Sequence, residues 1–499
     1  MKDVDRQQRL AVARAVDDLY AGRLSRRAFL RVCAAAGFSL PGLMSGCRPR
    51  SQPAASAADE SHLTAEQEKF LKEAGRTLGG RRVRIVTEDT PPSQVTRELV
   101  KDEFTRLSRI EVEWEQLPLD RVLAKIAADT ARAAGTHDIF YLDQAWIGRF
   151  ADDTEDPETW LAKTNLAYPG YDFQDILQPL REHVASYEGK LSAIPYDIPI
   201  YITMYRADLF RQLGLTPPKT VPEYLETARR INKELAPRTY GTSGQWKAGH
   251  YSLECDMTMW LWAHGGSIFD KAGKPVINDE RGEAALNYMM ELRQYMSPAA
   301  TTWEWHAQAA DFAAGNAGFY TAWGEFFPIY DDPKRSRIVG KAEAVACPQP
   351  LALRSKTECG FGETPGVSHQ GGSSLAISRY SKNKEAAWVF LQWATSPDVT
   401  TRACILGGGA SPIRRSNYDD PRVKQMAKVA AGTTRHFDVT LDAILHHMGT
   451  EPHLPAWAHL SVDSFAVELG KLTTGQQDVK STLKNMAEAA EKAVAQNKP

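Results

Sequence analysis

An α/β protein of two or three lobes is predicted by three features of the 499-residue chain. Short β-rich runs alternate with helical spacing between Arg82 and Leu142, the pattern of a parallel sheet with crossover helices. Strand-like runs return at Ala344–Pro348 and Gly371–Ile377, after a long helical middle. The roughly 450 residues beyond the N-terminal segment exceed what one core accommodates.

The N-terminus reads as an export signal. The first 31 residues hold eight Lys/Arg against four Asp. A weakly apolar run, Val32 to Met44, follows and is too short to span a bilayer as a helix. Ser25-Arg26-Arg27-Ala28-Phe29-Leu30 resembles a twin-arginine signal, and Leu43-Met44-Ser45-Gly46-Cys47 resembles a bacterial lipobox. That resemblance implies removal of residues 1–46, a diacylglycerol on Cys47, and a location in the periplasm or on the outer face of the cell membrane. Residues 47–78 then form a Pro/Ala/Ser-rich tether and a leading helix at 64–75.

Arg82–Thr87, Ile110–Trp114 and Asp138–Leu142 are predicted strands, with helices at 93–108 and 119–134 between them. Ligands of such sheets gather beyond the carboxyl ends of the strands, where Asp89 and Asp143 fall. Apolar spacing predicts helices at 206–213, 221–235, 252–264, 280–296, 383–395 and 457–492. Net charge is −2 with no basic tract, which argues against nucleic acid as a partner. No later segment is apolar for long enough to span a membrane. Of the cysteines beyond Cys47, Cys347 and Cys359 flank a loop-like stretch and are the expected disulfide pair.

Several stretches, taken in order, resemble the extracellular solute-binding proteins (family 1) of bacterial carbohydrate ABC transporters. They are Glu188–Pro195, Ile202–Phe210, Pro222-Glu223-Tyr224, Gly265–Asp270, Phe312–Phe319 with Trp323, Gly371–Ile377, Ser381–Leu391, Pro412 with Arg414, and Leu472–Gly475. The resemblance implies a two-lobed periplasmic-binding-protein type II fold, each lobe a mixed sheet flanked by helices, with the solute in the cleft. Lobe 1 would be 79–195 plus 370–412, and lobe 2 would be 196–369 plus 413–499. It also implies a monomer that binds without turnover or cofactor, closes on a hinge, and delivers its solute to ABC permease subunits. The solute is expected to be a sugar, oligosaccharide or polyol; a phosphodiester stays open.

Sugar hydroxyls call for carboxylates, amides and Arg, and the C–H faces of the ring call for aromatic platforms. Asp89, Asp143 and Asp197 are the candidate carboxylates, and Trp146, Trp246, Trp323 and Trp457 the candidate platforms. Gly372 and Ser373 lie where the chain would cross between lobes, with glycine permitting close backbone approach. Arg414 is a candidate for a polar group of the ligand. The bland readings are an N-cap or turn for each Asp, core packing for each Trp and an ion pair for Arg414. Two rival functions share part of this pattern. A secreted carbohydrate-active hydrolase would also carry paired carboxylates, but GxSxG, HExxH and P-loop motifs are absent from the sequence. A metal-binding lipoprotein would use His436, His446, His447 and His453 with Asp442.

Overall fold

The structure is a computed structural model, and it describes residues 62–407, 412–432 and 434–496. Cys47 and the signal and tether segments up to residue 60 lie outside the described residues.

The first sheet contains β1 (Arg82–Glu88), β2 (Glu111–Leu117), β3 (Ile139–Asp143), β4 (Ile194–Asp197) and, much later, β8 (Ser373–Ile377). A second sheet contains β5 (Tyr201–Arg206), β6 (Phe319–Trp323) and β7 (Ala342–Val345). The strand orders are β2-β1-β3-β8-β4 and β6-β5-β7. β1 runs parallel to β2 and β3, as the alternating pattern predicts. β8 runs antiparallel to β3 and β4, with Ser373 opposite both Asp143 and Asp197. The smaller sheet is antiparallel throughout.

Helix positions follow from caps and stripes. α1 (Ala65–Leu78) opens on a capping box of Thr64 and Gln67. α2 (Leu119–Thr130) buries Leu119, Val122 and Ile126 as one stripe against the first sheet. α3 (Val221–Leu235) starts from Thr220 and Glu223, again a capping box. α4 (Tyr251–Ala263) is buried on every side and forms the centre of lobe 2. Among the described residues, no helix is long and apolar enough to cross a membrane.

Two chain crossings lie side by side. Residues 198–200 lead from β4 to β5, and residues 370–372 lead back into β8. They are bonded to each other, Gly371 N–H donating to Pro199 O at 2.9 Å. The third crossing falls later than the predicted boundary at 412/413. The segment after it stays with lobe 1: Leu177 N–H donates to Ile413 O, and helices Arg415–Asp419 and Pro421–Ala427 pack on Pro397–Gly407. The chain rejoins lobe 2 where Arg435 binds Ala342 O and Asp331.

Three further expectations need correction. Residues 201–206 and 319–323 are strands, the first central and the second at the edge of the smaller sheet, not part of an all-helical middle. The helical stretch predicted for 457–492 breaks between Thr473 and Val479. Cys347 and Cys359 are not paired: the thiol of Cys347 donates to Tyr201 O beside β5, and that of Cys359 donates to Ser355 O within its own turn. Each thiol is held by a backbone carbonyl in a different part of lobe 2.

Candidate ligand-binding cleft

The carboxyl ends of β1 and β3 face lobe 2 across an open groove of about 1840 Å³, solvent-filled mouth included. Asp89 and Trp146 line it from lobe 1, with Lys247, Tyr251, Glu304 and Trp305 opposite. The groove narrows to an inner pocket. Glu88, Leu119 and Asp143 wall it on one side and Tyr251, Trp305, Trp323 and Glu325 on the other. Pro199 and Gly371, one from each adjoining crossing, complete the wall. Both lobes and the crossings between them therefore contribute.

The pocket is acidic. Burial, then the charges of Asp197, Asp143, Glu304 and Asp89, push Glu88 well above the usual carboxylate range. Burial likewise raises Asp143, although its side chain accepts the Ala145 N–H at 2.8 Å, and raises Glu325, with Asp197 and Glu88 adding repulsion. Asp197 lies fully buried behind the wall, and burial raises it to about 6 even though Tyr141 O–H donates to it at 3.3 Å. Glu325 Oε2 and the Trp323 indole N–H have no hydrogen-bond partner within the protein. The Trp323 ring is boxed edge-to-face by Tyr201 at 5.0 Å and Trp305 at 5.7 Å.

Asp89, Asp143, Trp146 and Trp323 are thus brought to one cleft, with Asp197, Gly372 and Ser373 immediately beneath. Glycine is required at 372, because a Cβ there would lie 2.4 Å from Asp197 O and 2.5 Å from Ile198 Cα. Three candidates are not at the cleft. Trp246 is turned into lobe 2, its indole N–H donating to Asp256 at 2.9 Å. Trp457 is fully buried and donates to Glu451 at 2.6 Å. Arg414 is buried in lobe 1, where it binds Thr395 O and Asp172 O and stacks on Tyr171. Each of the three side chains is buried away from the cleft and donates to a partner in the core.

Glu88, Tyr251, Glu304, Trp305 and Glu325 are absent from the predicted set. Glu88 follows a predicted strand and so carried the positional signal used for Asp143; Glu325 lies two residues beyond Trp323, where the family resemblance pointed. Tyr251 and Trp305 each stand at the first turn of a helix, where sequence alone suggests packing.

The histidine set does not converge. His436 stacks on Phe327 and His446 is exposed; burial drives His453 down to about 4. Among the described residues, the group of donors close enough to share an ion is instead Cys255, His369 and Glu451, within 4.8 Å of one another. Its carboxylate is already engaged. Glu451 accepts from His369 Nε2 and Tyr251 O–H, both at 2.7 Å, from Trp457 at 2.6 Å and from the Cys255 thiol at 3.8 Å. Burial alone would raise Glu451; the bonds from His369, Trp457 and Tyr251 outweigh it and hold the group below its usual value. The arrangement is a closed hydrogen-bond hub under the pocket, joined to it through Tyr251 and through the His369 ring against Trp323.

Residues 88–401 match the family model for the bacterial extracellular solute-binding protein. The chain is 23% identical over 359 residues to a probable amino-acid ABC transporter periplasmic-binding protein of Sinorhizobium fredii, covering 70% of this chain and 77% of that one. It is 25% identical over 367 residues to the erythritol/L-threitol-binding protein of Mycolicibacterium smegmatis, covering 69% and 72%. The fold superimposes on the ribitol complex of an Agrobacterium radiobacter K84 ABC transporter solute-binding protein with a TM-score of 0.73, at 23% identity, over 83% of this chain and 99% of that one. The two sheets, the paired crossings and the cleft are those of a two-lobed periplasmic-binding-protein type II fold. The chain belongs to the family of bacterial extracellular solute-binding proteins.

Proposed function

We propose that this chain captures a sugar or polyol between its lobes and hands it unchanged to an ABC permease, while a lipid on Cys47 holds it at the membrane. The observation that carries the reading is the inner pocket, where carboxylates from both lobes meet the Trp305 and Trp323 rings. Carboxylates accept the hydroxyls of a polyol, and the rings cover its C–H faces. Because Glu88 and Asp143 belong to one lobe and Glu325 and Trp323 to the other, a bound solute favours the closed arrangement. The cleft residues Asp89 and Trp146 extend the site toward the mouth, and Asp197, Gly372 and Ser373 support its floor. The erythritol/L-threitol and ribitol relatives make polyols the first solutes to test.

A thermal-shift screen of sugars and polyols tests the reading. A binding solute should raise Tm by mass action and be recovered intact; a chemically altered product would make the chain an enzyme instead. Trp323→Ala should weaken solute binding tenfold or more with the fold retained, as read by titration calorimetry and circular dichroism. Affinity equal to that of the unaltered protein would remove Trp323 from the site. For the anchor, a Cys47→Ser chain should leave the membrane fraction for the soluble one; continued membrane association would rule out lipidation there.

A further inference from the structure

We infer that the solute carries a positive charge, so that the cleft is built for an ammonium-bearing polyol or sugar rather than a wholly neutral one. The inference rests on the reading of the cleft as a polyol or sugar site and narrows the ligand class. Glu88, Asp143 and Glu325 line the inner pocket, and neither Lys nor Arg does. Asp197 stands fully buried behind them. Glu325 Oε2, on a side chain more than nine-tenths buried, has no donor within the protein. Acceptors in that state call for a donor from the ligand. Tyr251, Trp305 and Trp323 give the same pocket an aromatic wall, which attracts ammonium groups by cation–π interaction.

The charge balance leads to the same class. The charged groups that act on Glu88 and Glu325 are themselves acids, and burial adds to their repulsion. Such carboxyls either hold protons or are neutralised by a cation. A neutral polyol can hydrogen-bond to them but relieves none of the repulsion; an ammonium group relieves it directly. A bare metal ion is the poorer fit. Among the described residues, the carboxylates of this pocket do not form a group close enough to share one ion. The cationic side chains Arg149 and Lys247 lie in the outer groove, and Arg149 is engaged with His459 at 2.6 Å. An anionic phosphodiester would thus meet its counter-charge at the mouth and repulsion further in.

The test is a set of matched titrations on the full chain at pH 7.5. The pairs are 1-amino-1-deoxysorbitol with sorbitol and glucosamine with glucose, alongside the hydroxyl-free diamine cadaverine. The expected result is that an amine binds tenfold or more tighter than its neutral partner, and that Glu325→Gln or Glu88→Gln shrinks that ratio at least threefold. If neutral members bind as tightly as their amines, the inference is overturned and the polyol reading stands. If cadaverine binds and no hydroxylated compound does, the charge inference stands and the polyol reading falls. If none of the five binds, both fall. The wild-type ratios alone decide these outcomes, so a variant that folds poorly does not obscure them.

Discussion

Glu451→Ala is expected to lower the free energy of unfolding by about 3–5 kcal/mol, the cost of stranding the buried donors that its carboxylate satisfies. The carboxylate is fully buried and gathers donors from separate parts of the chain: Tyr251 at the start of α4, Trp457, and His369 just before the second crossing. Its own backbone N–H donates to Gln144 Oε1 at 3.1 Å, and Gln144 Nε2 donates to Gln370 O at 2.9 Å, so the hub also ties lobe 1 to the crossing. Truncation strands three buried donors at once, and each unsatisfied group costs roughly 1–3 kcal/mol. Urea denaturation followed by tryptophan fluorescence measures the loss. Glu451→Gln keeps an acceptor and should cost less than half as much. A loss below about 1 kcal/mol for the alanine variant would show that the hub contributes little to stability.

Gly371→Ala is expected to abolish high-affinity solute binding, with a loss of a hundredfold or more. A Cβ at this position would lie 2.0 Å from Trp323 Nε1 and 2.3 Å from Trp323 Cε2. The ring has little room to retreat, since Tyr201, Trp305 and His369 surround it with centroids 5.0–5.7 Å away. Relief comes by swinging the indole into the inner pocket, which removes the platform and fills the space the solute needs. The effect should therefore exceed that of Trp323→Ala, which removes the platform alone. Calorimetric titration with whichever solute raises Tm in the screen provides the measurement. An affinity within threefold of the unaltered protein would mean that the indole moves elsewhere. Gly372→Ala should instead act on stability, because its clash is with the backbone of residues 197 and 198.

The sheet of lobe 1 was legible because its parallel strands carry local signals: Val83, Ile85 and Val86 in a β-rich run, a strand stop and helix start at Pro91-Pro92, and the buried stripe Val122 and Ile126 on the helix before β3. The sheet of lobe 2 was less so. Tyr201–Arg206 is β-branched and aromatic, yet it abuts a helical stretch and pairs with strands more than a hundred residues away, a contact that no local pattern encodes. The site divides in the same way. Asp143 stands out because it ends a predicted strand, and Trp323 because the family resemblance places it after Phe312–Phe319. Trp246, Trp457 and Arg414 were misplaced because a polar neighbourhood in sequence does not reveal a buried acceptor: Asp256, Glu451 and Asp172 O capture their N–H groups. For Cys347 and Cys359, a short loop suggested proximity, whereas the backbone turns each thiol toward a different carbonyl.

Strand β8 has a consequence for biosynthesis. It fills the place between β3 and β4 but is translated only after the whole lobe 2 sheet. At ordinary elongation rates, the interval between β4 and β8 is on the order of 10–35 s. Throughout that time, the facing edges of β3 and β4 present unpaired backbone groups, a template for pairing with other chains. Lobe 1, although begun first, waits for β8, and lobe 2 in turn waits for the segment that rejoins it from Arg435 onward. A nascent chain cut short before Ile377 should therefore go to aggregates and chaperones rather than yield a free-standing first lobe.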